Sequence, residues 1–191
     1  MSRLVLCIHR DAISSYDKLD ERHLAFIDRE LVDNKDDLTI GKLFPQIIPV
    51  ILVQNEDGDY LTYARNGNET RLHGSRSLLV GGHVDIEDIV FSNPKETIVK
   101  SALRELEEEI GLDKFKFDFM YERFIPYEYI IYSNQDEVSQ VHVGLLAKIA
   151  VNKEDIKPSD EIYDVSWLPK EKLILQLDQY EEWSQIVINQ L

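Results

Sequence analysis

The segment from Asn93 to Leu112, NPKETIVKSALRELEEEIGL, constrains this chain most, because it specifies a helix together with both of its ends. Proline is tolerated at the first helical position, where its missing N–H would be unpaired anyway, and Asn93 before it is a good cap. Glu96, three residues after the cap, completes a capping-box arrangement with Asn in place of Ser or Thr. Gly111 follows the last apolar position and suits the left-handed conformation that ends a helix. The spacing therefore predicts a helix over 94–110. At about 3.6 residues per turn, Ile98, Val99, Ala102, Leu103, Leu106 and Ile110 share an arc of roughly 140°, a core-facing stripe.

Glu105, Glu108 and Glu109 cluster on this helix, with Glu105 and Glu109 beside one edge of the stripe. Carboxylates at the rim of a core repel one another, and their ionised forms are disfavoured unless a cation compensates. Hard oxygen donors suit Mg²⁺ or Mn²⁺, which keep several waters and complete their shells with phosphate oxygens. A solvated acidic face is the plainer reading of a Glu-rich helix. Such a face does not require Arg104 among the acids, glycine directly after the helix, and Glu96 eight positions before Arg104.

The pattern Glu96, Arg104-Glu105-Leu106, Glu108-Glu109, Gly111-Leu112 resembles the second half of the Nudix box, the signature of hydrolases that cleave a nucleoside diphosphate linked to another group. Eight specified positions must coincide, which chance supplies on the order of once in a million for a chain this long. The resemblance implies an α/β fold, a Nudix-type α/β/α sandwich around a mixed β-sheet. It makes Glu105 and Glu109 the principal metal ligands, Glu108 a third acid, and the backbone carbonyl of Gly82 a further ligand. It makes Arg104 the residue that orients a box glutamate, and Glu96 a supporting acid. It implies that the metal polarises the bridging phosphates and lowers the pKa of a water that attacks one phosphorus, with a carboxylate taking the proton. Glu161, in Asp160-Glu161-Ile162-Tyr163-Asp164-Val165-Ser166-Trp167, occupies the place of an acid that acts as base or extra ligand in relatives, so the catalytic set is Glu105, Glu108, Glu109 and Glu161. Gly82 lies fourteen positions before Glu96, eight more than the family spacing, so residues 85–92 are an insertion near the substrate. Val80 stands where the family has proline.

A net charge of −15 argues against nucleic acid or an anionic membrane as a bulk partner. A polyphosphate substrate, here a small nucleoside diphosphate derivative, must then be admitted by a bound cation and local basic residues. Arg65, Arg71 and Arg76 precede the glycine loop and are the candidates, Arg65 foremost, and His83 after the glycine pair can hydrogen-bond a phosphate. His142, within an apolar strand, is read either as a core histidine or as a cleft residue. Tyr127, Tyr129 and Tyr132 are read as core aromatics or as a base-stacking platform. The single cysteine, Cys7, excludes an internal disulfide, and no run approaches a membrane span, so cytoplasm is the expected compartment.

Residues 1–45 form an extension, with a short apolar segment at Leu4 to Ile8 and then Leu19, His23, Leu24, Phe26, Ile27 and Leu31 at helix-like spacing. Its expected role is packing on the core or forming a homodimer. The Nudix-like domain is 46–191, with strands expected at 46–54, 59–64, 78–80, 138–151 and 162–168, a turn at 55–58, aromatic strand sequence over 115–132, and helices from Pro169 and over 179–190. Two rival functions belong to other classes. An isoprenoid-diphosphate isomerase needs a cysteine near its site, and Cys7 lies in the extension. A ligand-sensing module would not need the full set of box acids that this chain keeps.

Overall fold

The computed structural model describes residues 3–13, 21–65, 75–90, 93–113, 129–135 and 137–191, with Glu21 and Tyr129 described by their backbone alone. The fold class is α/β, and the chain forms two compact units. One comprises Met1–Val50, Gly81–Ala102 and Phe124–Ala147; the other comprises Ile51–Val80, Leu103–Arg123 and Lys148–Leu191.

In the first unit, β1 (Leu4–Ile8) and β2 (Leu24–Asp28) pair antiparallel from Leu4 opposite Asp28 to Ile8 opposite Leu24, and Cys7 pairs with Gln46 at the start of β3 (Gln46–Gln54). The helix-like spacing across residues 19–31 thus does not yield one helix. Leu24 to Ile27 is an uninterrupted apolar run, and pairing with β1 makes it a half-buried strand, leaving only the short α1 (Arg29–Val32) after it; Leu19 lies outside the described residues. A second short helix, α2 (Thr39–Leu43), leads into β3. β7 (Tyr129–Ile131) pairs antiparallel with β8 (His142–Ala150) at Leu146 to Gly144. The expected strand from 138 begins four residues late, because Ser139–Val141 forms a 3-10 turn. Leu6, Ile8, Ile47, Val84, Ile98, Val143 and Leu145 make one buried cluster. Gly81 is needed by close approach: a Cβ there would stand 2.1 Å from the Pro49 carbonyl oxygen.

In the second unit, β4 (Tyr60–Arg65) pairs antiparallel with β9 (Ile162–Leu168), with an irregularity between Thr62 and Ala64, and with β5 (Arg76–Ser77). The expected turn before β4 is present, built on Asn55, whose side-chain oxygen accepts the amides of Asp57 and Asp59 at 2.9 Å each. β6 (Leu79–Gly81) lies one residue later than the expected strand. After Pro169 comes α4 (Lys170–Leu175), and the closing helix is α5 (Glu182–Ile188), shorter than the expected 179–190 because a 3-10 turn occupies Leu177–Gln179.

The long helix, α3 (Pro94–Ile110), has the expected bounds. Asn93 caps it by accepting the Glu96 amide at 3.2 Å, but the reciprocal half of the capping box is not made by Glu96: the Asn93 amide donates to the Val90 carbonyl at 3.2 Å. The reciprocal box occurs one turn earlier, where Asp85 and Asp88 cap the 3-10 turn Ile86–Asp88 within the inserted stretch; Phe91 and Ser92 lie outside the described residues. At the other end Gly111 has φ +64°, the Gly111 amide donates to Glu107, and the Leu112 amide to Leu106. The expected aromatic strand over 115–132 falls mostly outside the described residues. Among the described residues no helix is long and apolar enough to cross a membrane.

Candidate active site

The second half of α3 carries the acids predicted from its sequence. Arg104 Nη1 donates to Glu105 Oε1 at 2.7 Å and to Glu108 Oε2 at 2.9 Å, so one guanidinium holds two of the three. Glu108 is more than half exposed, whereas Glu105 is only 13% exposed. Burial pushes the Glu105 carboxyl up to about 7, with Arg104 opposing and the charges of Glu109 and Glu108 adding to the rise.

Glu109 is the most deeply placed, with 4% of its side chain exposed. Its counterion is Arg65 at the end of β4: Nη1 donates to Oε1 at 2.6 Å and Nη2 to Oε2 at 3.3 Å. The Tyr63 hydroxyl lies 3.1 Å from Glu109 Oε2, accepts from Arg65 Nη2 at 2.9 Å, and donates to the Leu79 carbonyl at 2.6 Å. Tyr63 and Arg65 reach the same carboxylate because residues two apart on a strand project to one face. Burial raises the Glu109 carboxyl, Arg65 and Tyr63 counter that rise, and the charge of Glu161 adds to it.

Glu161 is exposed, with its amide donating to Ser159 Oγ at 3.3 Å. The turn that carries it is tied to α3, since the Ser159 amide donates to the Glu109 carbonyl at 2.9 Å and the Lys157 amide to the Ile110 carbonyl at 2.8 Å. Glu105 therefore feels the charges of Glu108 and Glu109, and Glu109 feels that of Glu161.

This donor set fits a divalent cation. The oxygens are hard, the buried Glu109 and the part-buried Glu105 carboxyls are both raised, and the nearby positive charge comes from two arginines. Among the described residues no three His, Cys, Asp or Glu side chains are gathered closely enough to hold a metal ion as they stand.

Other sequence candidates have different surroundings. Arg76 is committed to the β4–β9 pairing: its guanidinium ion-pairs with Asp164 and donates to Thr62 Oγ1 at 2.8 Å and Ser166 Oγ at 2.9 Å. Arg71 lies outside the described residues. Gly82 and His83 belong to the first unit, as does Glu96 in the first turn of α3. There His83 Nε2 stands 3.3 Å from His142 Nε2, and the His83 carbonyl accepts from Ser101 Oγ at 3.1 Å. Burial lowers the His83 imidazole to about 3, with Arg29 and His142 adding to the drop. His142 is buried and its Nδ1 lies 2.8 Å from the Val138 carbonyl, the surroundings of a satisfied core histidine. Tyr132 carries Arg10 over its ring at 4.4 Å, while Tyr127 and the Tyr129 side chain lie outside the described residues.

Sequence reasoning missed two members. Tyr63 was read only as a strand residue, although a buried acid requires a partner and Tyr63 and Arg65 are polar groups at alternate positions of one strand. Glu181, whose carboxylate caps α5 by accepting the Trp183 and Ser184 amides at 2.8 and 2.9 Å, acts electrostatically on Arg65 and is itself raised by burial.

Comparison with known proteins speaks to the family and the fold. The family model for the NUDIX domain matches residues 44–191. The protein YmaB of Bacillus subtilis (strain 168) is 30% identical over 154 residues, covering 76% of this chain and 70% of that protein. Among solved structures, Tm1382, a candidate Nudix hydrolase, superimposes with a TM-score of 0.70 over 98% of this chain and 100% of its own, at 20% identity. The MutT protein from Methanosarcina mazei Go1 gives a TM-score of 0.51 over 75% of this chain and 90% of its own, at 22% identity. At these identities the two structures speak to the fold.

Proposed function

Because this chain belongs to the Nudix family, which makes it a hydrolase of the pyrophosphohydrolase type, we propose that it cleaves the pyrophosphate bond of a nucleoside diphosphate linked to another moiety, using Mg²⁺ or Mn²⁺ held by Glu105, Glu109 and Glu108. The observation that carries the reading is the pair of mutually repelling carboxyls on one helix, Glu109 buried and Glu105 part-buried, the latter raised to about 7. A carboxyl under that penalty has a strong affinity for added positive charge, and a phosphate-bound divalent ion supplies it.

When bound, the ion neutralises phosphate charge and makes a water more acidic. The chain's own residues do the rest. Arg104 keeps Glu105 and Glu108 side by side. Tyr63 lies against Glu109, and the guanidinium of Arg65, 28% exposed, offers donors to a phosphate. Glu161, exposed and electrostatically coupled to Glu109, accepts the proton of the attacking water. The fold needs no covalent intermediate for this chemistry, and the products are two phosphate monoesters.

The test is a product-resolved screen of nucleoside diphosphate sugars, dinucleoside polyphosphates and nucleotide coenzymes with Mg²⁺, with Mn²⁺, and with excess chelator. The expected result is metal-dependent release of a nucleoside monophosphate from at least one class. Turnover undiminished in chelator would overturn the metal-dependent reading.

A further inference from the structure

We infer that Arg65 is an exchangeable counter-cation: it holds the Glu109 carboxylate while no divalent ion is bound, and passes to the substrate's phosphate oxygens when the ion takes Glu109. This rests on the proposed metal role of Glu109 and adds to it an order in which positive charges change places.

Arg65 covers both oxygens of Glu109, at 2.6 and 3.3 Å, and a divalent ion seeking either oxygen meets a guanidinium already there. Two cations on one buried carboxylate repel each other strongly where water is scarce. One must leave. Glu109 sits near the C-terminal end of a long helix with its side chain 4% exposed, so it is the fixed partner; Arg65 ends its strand with 28% of its side chain exposed, so it is the movable one. Arg104 cannot substitute, since it already serves Glu105 and Glu108.

Arg65 also has partners besides Glu109. Its guanidinium carbon lies 5.4 Å from the Tyr63 ring centroid and its Nη2 donates to the Tyr63 hydroxyl, which the Leu79 carbonyl anchors at 2.6 Å. The part-buried carboxylate of Glu181 acts on it electrostatically from another element. These contacts keep the positive charge in the neighbourhood after Glu109 is surrendered, where a phosphate provides the bidentate acceptor that a guanidinium fork matches. Metal alone must therefore displace Arg65 with nothing to receive it, whereas metal with a diphosphate supplies the receiver. The two ligands should bind cooperatively, by a factor on the order of 10-fold or more.

The experiment measures Mn²⁺ binding, by the electron paramagnetic resonance signal of free Mn²⁺, to wild type, Arg65→Met and Arg65→Lys, each with and without methylenediphosphonate as a non-hydrolysable diphosphate. Chelation of Mn²⁺ by the diphosphonate is subtracted from a protein-free series. The expected result is that Arg65→Met binds Mn²⁺ alone about 10-fold more tightly than wild type and loses the cooperativity. Arg65→Lys, which keeps the charge but cannot fork, should fall between and serves if the Met variant does not fold. Mn²⁺ affinity unchanged or weakened in the folded variants, with wild type showing metal-dependent hydrolysis, overturns the exchange while sparing the metal site. No Mn²⁺ binding and no metal-dependent hydrolysis in wild type overturns the metal site and the exchange together.

Discussion

Arg76 and Asp164 meet through both side chain and main chain: the guanidinium ion-pairs with the carboxylate, and Nη2 donates to the Asp164 carbonyl at 2.7 Å. Asp164 is the one described non-glycine residue with positive φ, at +50°, a conformation that costs a residue with a Cβ some strain. From β5, Arg76 therefore ties β9 to β4, the strand that carries Tyr63 and Arg65, just beside the irregularity at Thr62 and Ala64.

Replacing Arg76 by Met should remove donors to Thr62, Ser166 and Asp164 at once. Bonds to a charged group are worth roughly 1.5–3 kcal/mol each before relaxation, so a net loss of about 2 kcal/mol is expected. Asp164→Asn should cost far less, because the carboxylate is 65% exposed and Asn tolerates positive φ. Chemical denaturation of both variants checks the order. An Arg76→Met protein as stable as wild type, but with a raised KM, would return Arg76 to the substrate-binding role first suggested by its place in the sequence.

Cys7 should be inert in the native protein. It is fully buried between β2 and β3 pairings, and burial together with the charge of Asp33 pushes its thiol up to about 12. At pH 8 about one molecule in ten thousand would carry the thiolate that reacts. A disulfide-exchange reagent should release no chromophore over minutes from native protein and one equivalent after denaturation. Rapid native labelling would contradict the burial and reopen a role for the thiol in chemistry.

Local patterns in the sequence were the legible part. α3 announces both of its ends through Asn93-Pro94 and Gly111, and β3 through β4 announces itself by an apolar run, the Asn55 turn and its return. Residues 24–28 misled because Leu24, Phe26, Ile27 and Leu31 satisfy helical spacing while the contiguous apolar run equally suits a strand; the partner β1 decides, and pairing is not written locally. The same limit applies at the site. The acids were visible as a helix face, but that Arg65 and Tyr63 neutralise Glu109, while Arg76 is spent on structure, depends on contacts spanning 44, 46 and 88 positions.

Gly111→Ala should destabilise the fold out of proportion to its size. The residue adopts φ +64°, and an added Cβ would stand 2.5 Å from the Lys157 carbonyl oxygen. Because Lys157 donates to the Ile110 carbonyl, relief of the clash must break the link between α3 and the turn that carries Glu161. A loss of more than about 1 kcal/mol is expected. A drop in kcat with little change in Mn²⁺ affinity should accompany it, measured below the melting transition. An Ala variant with wild-type stability would show that this turn relaxes freely.

Glu109→Gln preserves shape and removes the charge. Arg65 would then face a neutral amide, and the metal would lose its most buried anionic ligand. Turnover should fall by about 10²-fold or more, with weakened Mn²⁺ binding and a native circular dichroism spectrum. Retained turnover would shift the principal ligand role to Glu105 and Glu108.

Glu161→Gln separates proton acceptance from metal binding. Glu161 is exposed, whereas Glu109 is buried, yet its charge contributes to raising the Glu109 carboxyl, and the Ser159 amide ties its turn to the Glu109 carbonyl. An exposed carboxylate held beside a buried one can take a proton from water without surrendering a ligand position. A proton acceptor acts in the transition state, so the substitution should lower kcat by about 10²-fold while leaving KM and Mn²⁺ affinity within a small factor, and it should remove the acidic limb of the pH–rate profile. If Glu161 were instead a metal ligand, Mn²⁺ affinity would fall together with kcat. Full kcat in the variant would pass the base role to Glu108, the other exposed acid of the group and the one that Arg104 holds through a single bond at 2.9 Å.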